Sequence, residues 1–369
     1  MNLLDQTLRH LRALVAFDTR NPPRAIDTNG IFEYVRAHLR GFECETIDHG
    51  AGAISLHAVR GKPKMLFNVH VDTVPDSPQW SASPFDLRVD SERAVGLGAC
   101  DIKGAAAALL TAAAASEGDA AYLFSSDEEA NDARCIAAFL RKSPQAAPQG
   151  SAVVVAEPTR CEAVLAHRGI SSVLMRFRGR AGHASSNDAS SDSAVHQAIR
   201  WSSRAMTFVE GQSHARFGGL TGLRFNIGRF DGGIKANVIA PSAELRFGFR
   251  PLPSMDTDVL LDRFRGFAEP LAAEFVETFR GPSLPAGDVA EAESRRLSAR
   301  DRADALGIPI GNAVDFWTEA SLFSQAGHTT FVFGPGDIAQ AHTADEWVAL
   351  AELQKYAETI TRLIADGHA

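Results

Sequence analysis

Two rhythms of hydrophobic spacing run through the chain. Leu4, Leu8, Leu11 and Val15 recur at helical spacing and predict a helix over residues 2–16, which Asn21-Pro22-Pro23 ends as a connecting turn. Ile31, Tyr34, Val35, His38 and Leu39 predict a second helix over 28–40. Period-two alternation predicts a strand over 53–59, and the apolar, β-branched run from Met65 into His70 predicts a buried strand over 65–71. In residues 105–115, eight of eleven are alanine, which predicts a helix able to lie close against a sheet. Strand 120–126, helix 132–142 and the fully apolar strand 152–156 continue the alternation, so residues 1–168 read as an α/β sheet with helices on both faces.

From Gly169 the order changes. The spacing predicts strand 170–178, helix 191–208, strands near 222–230 and 236–249, helix 256–269 and a strand near 272–279, two strand-rich units each with a helix. After Gly281-Pro282-Ser283-Leu284-Pro285 the first style returns, with helix 291–306, a short helix near 319–326, strand 329–333 and a terminal helix from about 346. A smaller α+β domain over 169–280 therefore interrupts an α/β domain made of 1–168 and 281–369.

Composition narrows the partners. A chain of 369 residues with 45% apolar and 22% charged side chains has the make-up of a soluble globular protein of two domains. The net charge of -8 argues against nucleic acid, which needs a basic surface. No apolar run reaches the roughly 18 residues a membrane span needs, and Met-Asn-Leu-Leu-Asp lacks a signal peptide's basic stretch, so a cytoplasmic place is expected. Cys44, Cys100, Cys135 and Cys161 form no Cys-x-x-Cys pair, so any metal must use His and carboxylates.

Such residues gather at strand ends. His70 and Asp72 point to the same side of their strand, as a metal ligand and the carboxylate that fixes its tautomer would; a core histidine satisfied by a neighbouring Asp fits that pair as well. Gly96 to Gly104 has neither the Rossmann spacing nor the Walker lysine, and its expected use is to hold Asp101 near a helix start, where backbone N–H groups favour an anion. Asp127-Glu128-Glu129 alone would be a solvated helix start, whereas Glu157-Pro158 directly follows a buried strand. His342 lies in the last loop. Open α/β sheets bind ligands outside the carboxyl ends of their strands, where His70, Glu128, Glu129, Glu157 and His342 all fall. Two histidines and three or four carboxylates can hold two divalent ions with one carboxylate shared, and a surplus acid suits a general base.

Taken together, His70-Val71-Asp72, Gly96-x-Gly98-x-x-Asp101-x-Lys103-Gly104, Glu128-Glu129, Glu157-Pro158 and His342 resemble the M20 metallopeptidase and deacylase family over nearly the whole chain. Thr318-Glu319-Ala320 and Gly334-Pro335-Gly336 through Ala341-His342-x-x-Asp345-Glu346 resemble its acetylornithine deacetylase branch. The resemblance implies a mixed-sheet, dinuclear zinc-hydrolase catalytic domain interrupted by an α+β lid and dimerisation domain. It implies that His70, Asp101 and Glu157 hold one metal and His342, Asp101 and Glu129 the other, with Asp72 orienting His70 and Glu128 as general base. Zinc is the expected ion, with cobalt as a second candidate. Gly179-Arg180-Ala181-Gly182-His183-Ala184-Ser185 matches the lid motif, so His183, from a partner subunit, would stabilise the oxyanion; read alone it is a loop histidine. Lys235 to Ile239 and Arg250 to Pro253 match further lid motifs, making Asn237 a polar substrate contact and Arg250 a carboxylate clamp, although Gly248 stands where relatives usually carry Asp. The implied reaction removes the acetyl group from an N-acetyl-L-amino acid, N-acetyl-L-citrulline or N-acetyl-L-ornithine, in arginine biosynthesis. The alternatives are an M20 peptidase, an N-succinyl-diaminopimelate desuccinylase-like enzyme, or a non-catalytic metal-binding protein. A homodimer through the lid is expected.

Overall fold

The computed structural model describes residues 2–23, 26–130, 134–142 and 152–369. They fall into two compact units, one comprising Met1–Leu165, Ser294–Asn312 and Thr318–Ala369, the other Ala166–Glu293 and Ala313–Trp317.

The first unit is built on a six-stranded sheet in the order Glu43–Asp48, Ile54–Arg60, Ala120–Ser125, Met65–His70, Ala152–Val155, Thr329–Val332. The first two pairings are antiparallel and the other three parallel, so the sheet is mixed, in agreement with the expected α/β class. Met65–His70, Ala120–Ser125 and Ala152–Val155 are buried at every position, the pattern of parallel strands covered on both faces. Because these strands run the same way, the residues that follow each of them emerge at one edge. Glu43–Asp48 was not legible in the spacing: it is an edge strand, buried at no position, and its Glu-Cys-Glu-Thr-Ile-Asp sequence has no apolar alternation.

The alanine-rich helix runs over Lys103–Ala115 and is buried from Lys103 to Ala113. It starts at Lys103, before the alanine run, and takes in Gly104, where a Cβ would lie 2.5 Å from the Ala99 carbonyl oxygen and 3.0 Å from Leu353 Cδ2. Buried Lys103 donates from Nζ to the Phe17 carbonyl at 2.9 Å, and burial pulls its ammonium down to about 7. The terminal helix begins at Leu350 rather than near 346, since Trp347–Ala349 first pairs as a short strand with Arg93–Val95. The helix expected over 132–142 is observed as Arg134–Lys142, and its expected first residues lie outside the described ones. Among the described residues no helix is long and apolar enough to cross a membrane.

The second unit carries a four-stranded antiparallel sheet in the order Arg224–Gly232, Ser242–Arg250, Ile170–Arg178, Glu274–Gly281. Val173, Met175 and Phe177 alternate with Ala243, Leu245, Phe247 and Phe249 to pack one face with residues of helices Ala194–Gly211 and Thr257–Gly266, around Trp201, whose Nε1 donates to the Phe264 carbonyl at 2.7 Å. The strand expected over 236–249 starts only at Ser242. Pro241 lacks an N–H, and the segment before it turns instead, with the Asn237 carbonyl accepting from Ala184 N. The unit also reaches outside 169–280, because the buried Arg168 guanidinium donates to the Thr221 and Gly222 carbonyls and pairs with Asp315.

Candidate metal centre

His70 closes its strand only 2% exposed. Its Nδ1 lies 3.1 Å from the Asp72 carbonyl oxygen and 3.4 Å from Asp72 Oδ1, while Nε2 lies 3.2 Å from Asp101 Oδ1 and 3.9 Å from Glu157 Oε1. A ring that donates Nδ1–H to Asp72 keeps its Nε2 lone pair for a cation. Asp72 also accepts at Oδ2 from Asn21 Nδ2, at 3.0 Å, and from Glu129 N, at 3.1 Å, so it ties the His70 ring to the backbone of Glu129. Asn21, expected only in a connecting turn, is buried and donates its N–H to the Thr73 carbonyl at 2.8 Å.

On the other side, His342 Nε2 lies 3.3 Å from Asp101 Oδ2 and 3.0 Å from Glu129 Oε1. Asp101 thus presents one oxygen to each histidine. The donor atoms of His70, Asp101 and Glu157 lie within 4.8 Å of one another, and so do those of Asp101, Glu129 and His342. His342 has φ 56°, a left-handed backbone that costs a non-glycine residue roughly 1–2 kcal/mol and is concentrated at functional sites.

Acids outnumber bases at this edge among the described residues. Asp72, Asp101, Glu128, Glu129 and Glu157 share it with two imidazoles, and the Lys103 ammonium interacts with Asp72. Burial, reinforced by the surrounding carboxylates, pushes Glu128 and Glu157 well above the usual carboxylate range, and burial raises Glu129 too. Asp101 moves the opposite way: burial opposes its charge, but hydrogen bonds to His342 and His70 outweigh it. Hydrogen bonds to Asp101 and Glu129 push His342 up to about 11, and burial of His70 is overcome by Asp101 and Asp72, which raise it well above its ordinary value. Glu157 Oε1 is buried without a hydrogen-bond partner. An acid-rich cluster with an orphaned oxygen and imidazole nitrogens aimed inward fits divalent cations of intermediate hardness.

Further acids flank the cluster. Buried Glu319 accepts from Ser125 Oγ at 3.0 Å, and burial followed by Asp127 raises its carboxyl. Glu346 is also buried, and accepts from three backbone amides of the Asp101 loop. Neither Asn21 nor Glu346 announces a role by spacing; Asn21 stands before two prolines, and Glu346 enters only as the last residue of the Ala341-His342-x-x-Asp345-Glu346 resemblance.

The remaining expected residues lie in the second unit. His183 is exposed, with Nδ1 2.8 Å from Ser185 Oγ and a backbone bridge to Val238. Asn237 is exposed in a turn. Arg250 ends its strand half-buried, and burial lowers its pKa.

Residues 66–366 match the profile of peptidase family M20/M25/M40. The chain belongs to this family. Its fold and its amide-hydrolase chemistry are those of an M20 enzyme. The chain is 69% identical over 368 residues to the N-acetyl-L-citrulline deacetylase of Xanthomonas campestris pv. campestris, with each chain covered completely. It is 29% identical over 320 residues to the acetylornithine deacetylase of Pectobacterium atrosepticum, covering 82% of this chain and 80% of that one. Among solved structures, a dinuclear metal binding peptidase of the M20 family from Bacillus subtilis superposes with a TM-score of 0.62 at 16% identity, covering 98% of both chains.

Proposed function

We propose that this M20 enzyme hydrolyses the acetyl amide of N-acetyl-L-citrulline, releasing acetate and a free α-amine as a step of arginine biosynthesis. The observation that carries the reading is the pair of donor triads joined by the two oxygens of Asp101, together with full-length similarity to a deacetylase of that substrate. His70, Asp101 and Glu157 would hold one ion and Asp101, Glu129 and His342 the other; imidazole and carboxylate donors suit zinc, with cobalt as a substitute. When bound, such an ion pair acidifies water and polarises a carbonyl. Glu128 belongs to neither triad, which leaves its carboxylate for taking a proton and returning it. In this reading Glu128 deprotonates the attacking water and protonates the departing amine, while Asp72 keeps the His70 ring in register. His183 of a second copy stabilises the developing oxyanion, Asn237 contacts the substrate and Arg250 clamps its carboxylate. The second unit is read as lid and dimerisation domain. Four free cysteines fit a reducing cytoplasm.

The test is a kinetic comparison of N-acetyl-L-citrulline, N-acetyl-L-ornithine, N-succinyl-diaminopimelate and a dipeptide on enzyme reconstituted with zinc or cobalt. Acetylcitrulline should have the highest kcat/KM. Equal values on all four, or a preference for the dipeptide, would overturn the substrate assignment.

A further inference from the structure

Glu346 is 1% exposed, yet it packs a carboxylate rather than an apolar side chain into the first unit. Its Oε1 accepts from Cys100 N at 2.8 Å and Asp101 N at 2.9 Å, and its Oε2 from Gly98 N at 3.0 Å. Its own carbonyl accepts from Gly96 N at 3.0 Å. One residue therefore gathers four amides of a loop outside any helix or strand, and among the described residues none of the four has another acceptor. The neighbouring Asp345 grips a second segment, accepting at Oδ1 from Ser81 N and Ser81 Oγ and pairing with Arg88. Both acids follow His342 closely, and His342 and Asp345 both have φ 56°, so two left-handed residues punctuate the segment that the acids hold in place.

We propose that Glu346 is a positioning residue for the metal centre: by binding the amide of Asp101 itself, 245 residues away in sequence, it fixes where the Asp101 carboxylate stands relative to His342. The inference rests on the reading that Asp101 and its neighbours hold two ions. Asp101 faces both histidines at 3.2–3.3 Å, so a small shift of its backbone moves both contacts at once. Glutamine at 346 keeps the shape but turns one acceptor into an NH2 donor facing an N–H, so at least one of the three side-chain bonds is lost. The loop then relaxes and takes Asp101 with it.

The experiment is a cobalt(II) titration of wild type, Glu346→Gln and Asp101→Asn, followed by visible absorption and metal content, with the melting temperature of each protein measured without and with metal. Wild type should take up two ions per chain. Glu346→Gln should keep its far-UV circular dichroism and bind cobalt roughly 10- to 100-fold more weakly, the range for residues that orient metal ligands. Its cobalt spectrum should shift, and the rise in melting temperature that metal confers should shrink. A purely structural role predicts a different pattern: the metal-free melting temperature falls, while cobalt affinity, spectrum and metal-induced rise stay as in wild type. That pattern overturns the proposal. If Glu346→Gln does not fold, Glu346→Asp, which retains the charge one methylene short, decides by the same comparison, intermediate affinity supporting the proposal and wild-type affinity overturning it. Failure of wild type to bind two ions, or undiminished binding by Asp101→Asn, would instead sink the metal-centre reading on which this rests.

Discussion

Gly334 follows the last parallel strand and lies against the residue that closes the first donor triad. A Cβ added there would stand 2.5 Å from the Glu157 carbonyl oxygen, 3.0 Å from its nitrogen and 3.2 Å from its carbonyl carbon. The nearest of these is roughly 0.9 Å inside ordinary van der Waals contact. Gly334 is absent from the positive-φ positions, so packing alone demands glycine. The chain cannot easily retreat. Gly334 N donates to Thr159 Oγ1 at 3.0 Å, its carbonyl accepts from Cys161 N at 2.8 Å, and Phe333 N donates to the Val155 carbonyl at 2.9 Å. Overpacking costs about 1–3 kcal/mol and each displaced hydrogen bond about 1 kcal/mol, so Gly334→Ala should lose about 2–4 kcal/mol. The shift it imposes falls on Glu157, so cobalt affinity should drop at least about tenfold as well, as when ligand-orienting contacts are lost. Urea midpoints and cobalt titrations measure the two effects. Gly211→Ala serves as control, since nothing lies within 4 Å of a Cβ there, and it should be neutral or stabilise by up to about 1 kcal/mol. A Gly334→Ala protein that matches this control in urea and binds both ions as wild type would refute the reasoning.

Replacing the proposed base, Glu128→Gln, should lower turnover by about 10²–10⁴-fold with metal content unchanged by elemental analysis; a retained rate contradicts the assignment. His183→Ala should also depress turnover. Mixing His183→Ala chains with Glu128→Gln chains should restore part of it if the histidine acts across a dimer, and no recovery counts against the shared site. His10 concerns folding alone. Burial, then His38 and Arg9, lower its pKa from 6.5 to about 4. Between those values the unfolded chain binds a proton that the folded chain refuses, so this contribution to stability is complete above pH 6.5 and falls as pH drops towards 4. With allowance for the ring's partial exposure, His10→Gln should reduce the urea-stability difference between pH 7 and pH 5 by on the order of 1 kcal/mol. An unchanged difference between those two pH values would contradict the assignment to His10.

The parallel strands were legible because they are buried on both faces and consist mostly of Val, Leu, Phe and Ala. His70 at the end of one and Glu157 just after another stood out against those runs, whereas Glu128 and Glu129, beside Asp127, read alone as a solvated helix start and drew meaning only from the other strand ends. Other features depend on partners remote in sequence. Glu43–Asp48 is a strand because Ile54–Arg60 offers it an edge, not because its own residues alternate. Glu346 reads as the first acid of a helix, yet the Asp101 loop draws it inward and Trp347–Ala349 becomes a strand. Asn21 looks like turn punctuation until the fold sets its amide 3.0 Å from Asp72. In each case the deciding atom belongs to a distant segment, and periodicity carries no information about it.

Asp101 sends Oδ1 towards one histidine and Oδ2 towards the other. For anyone wishing to build a one-ion version of this enzyme, that division of labour dictates the route. On the proposed ligand assignment, altering Asp101 would take a donor from both sites together and should weaken each. Altering Glu129 or His342 should strip the proposed second site and leave the His70, Asp101 and Glu157 triad whole. Comparing those two kinds of variant would separate what a single ion can do from what requires a neighbour.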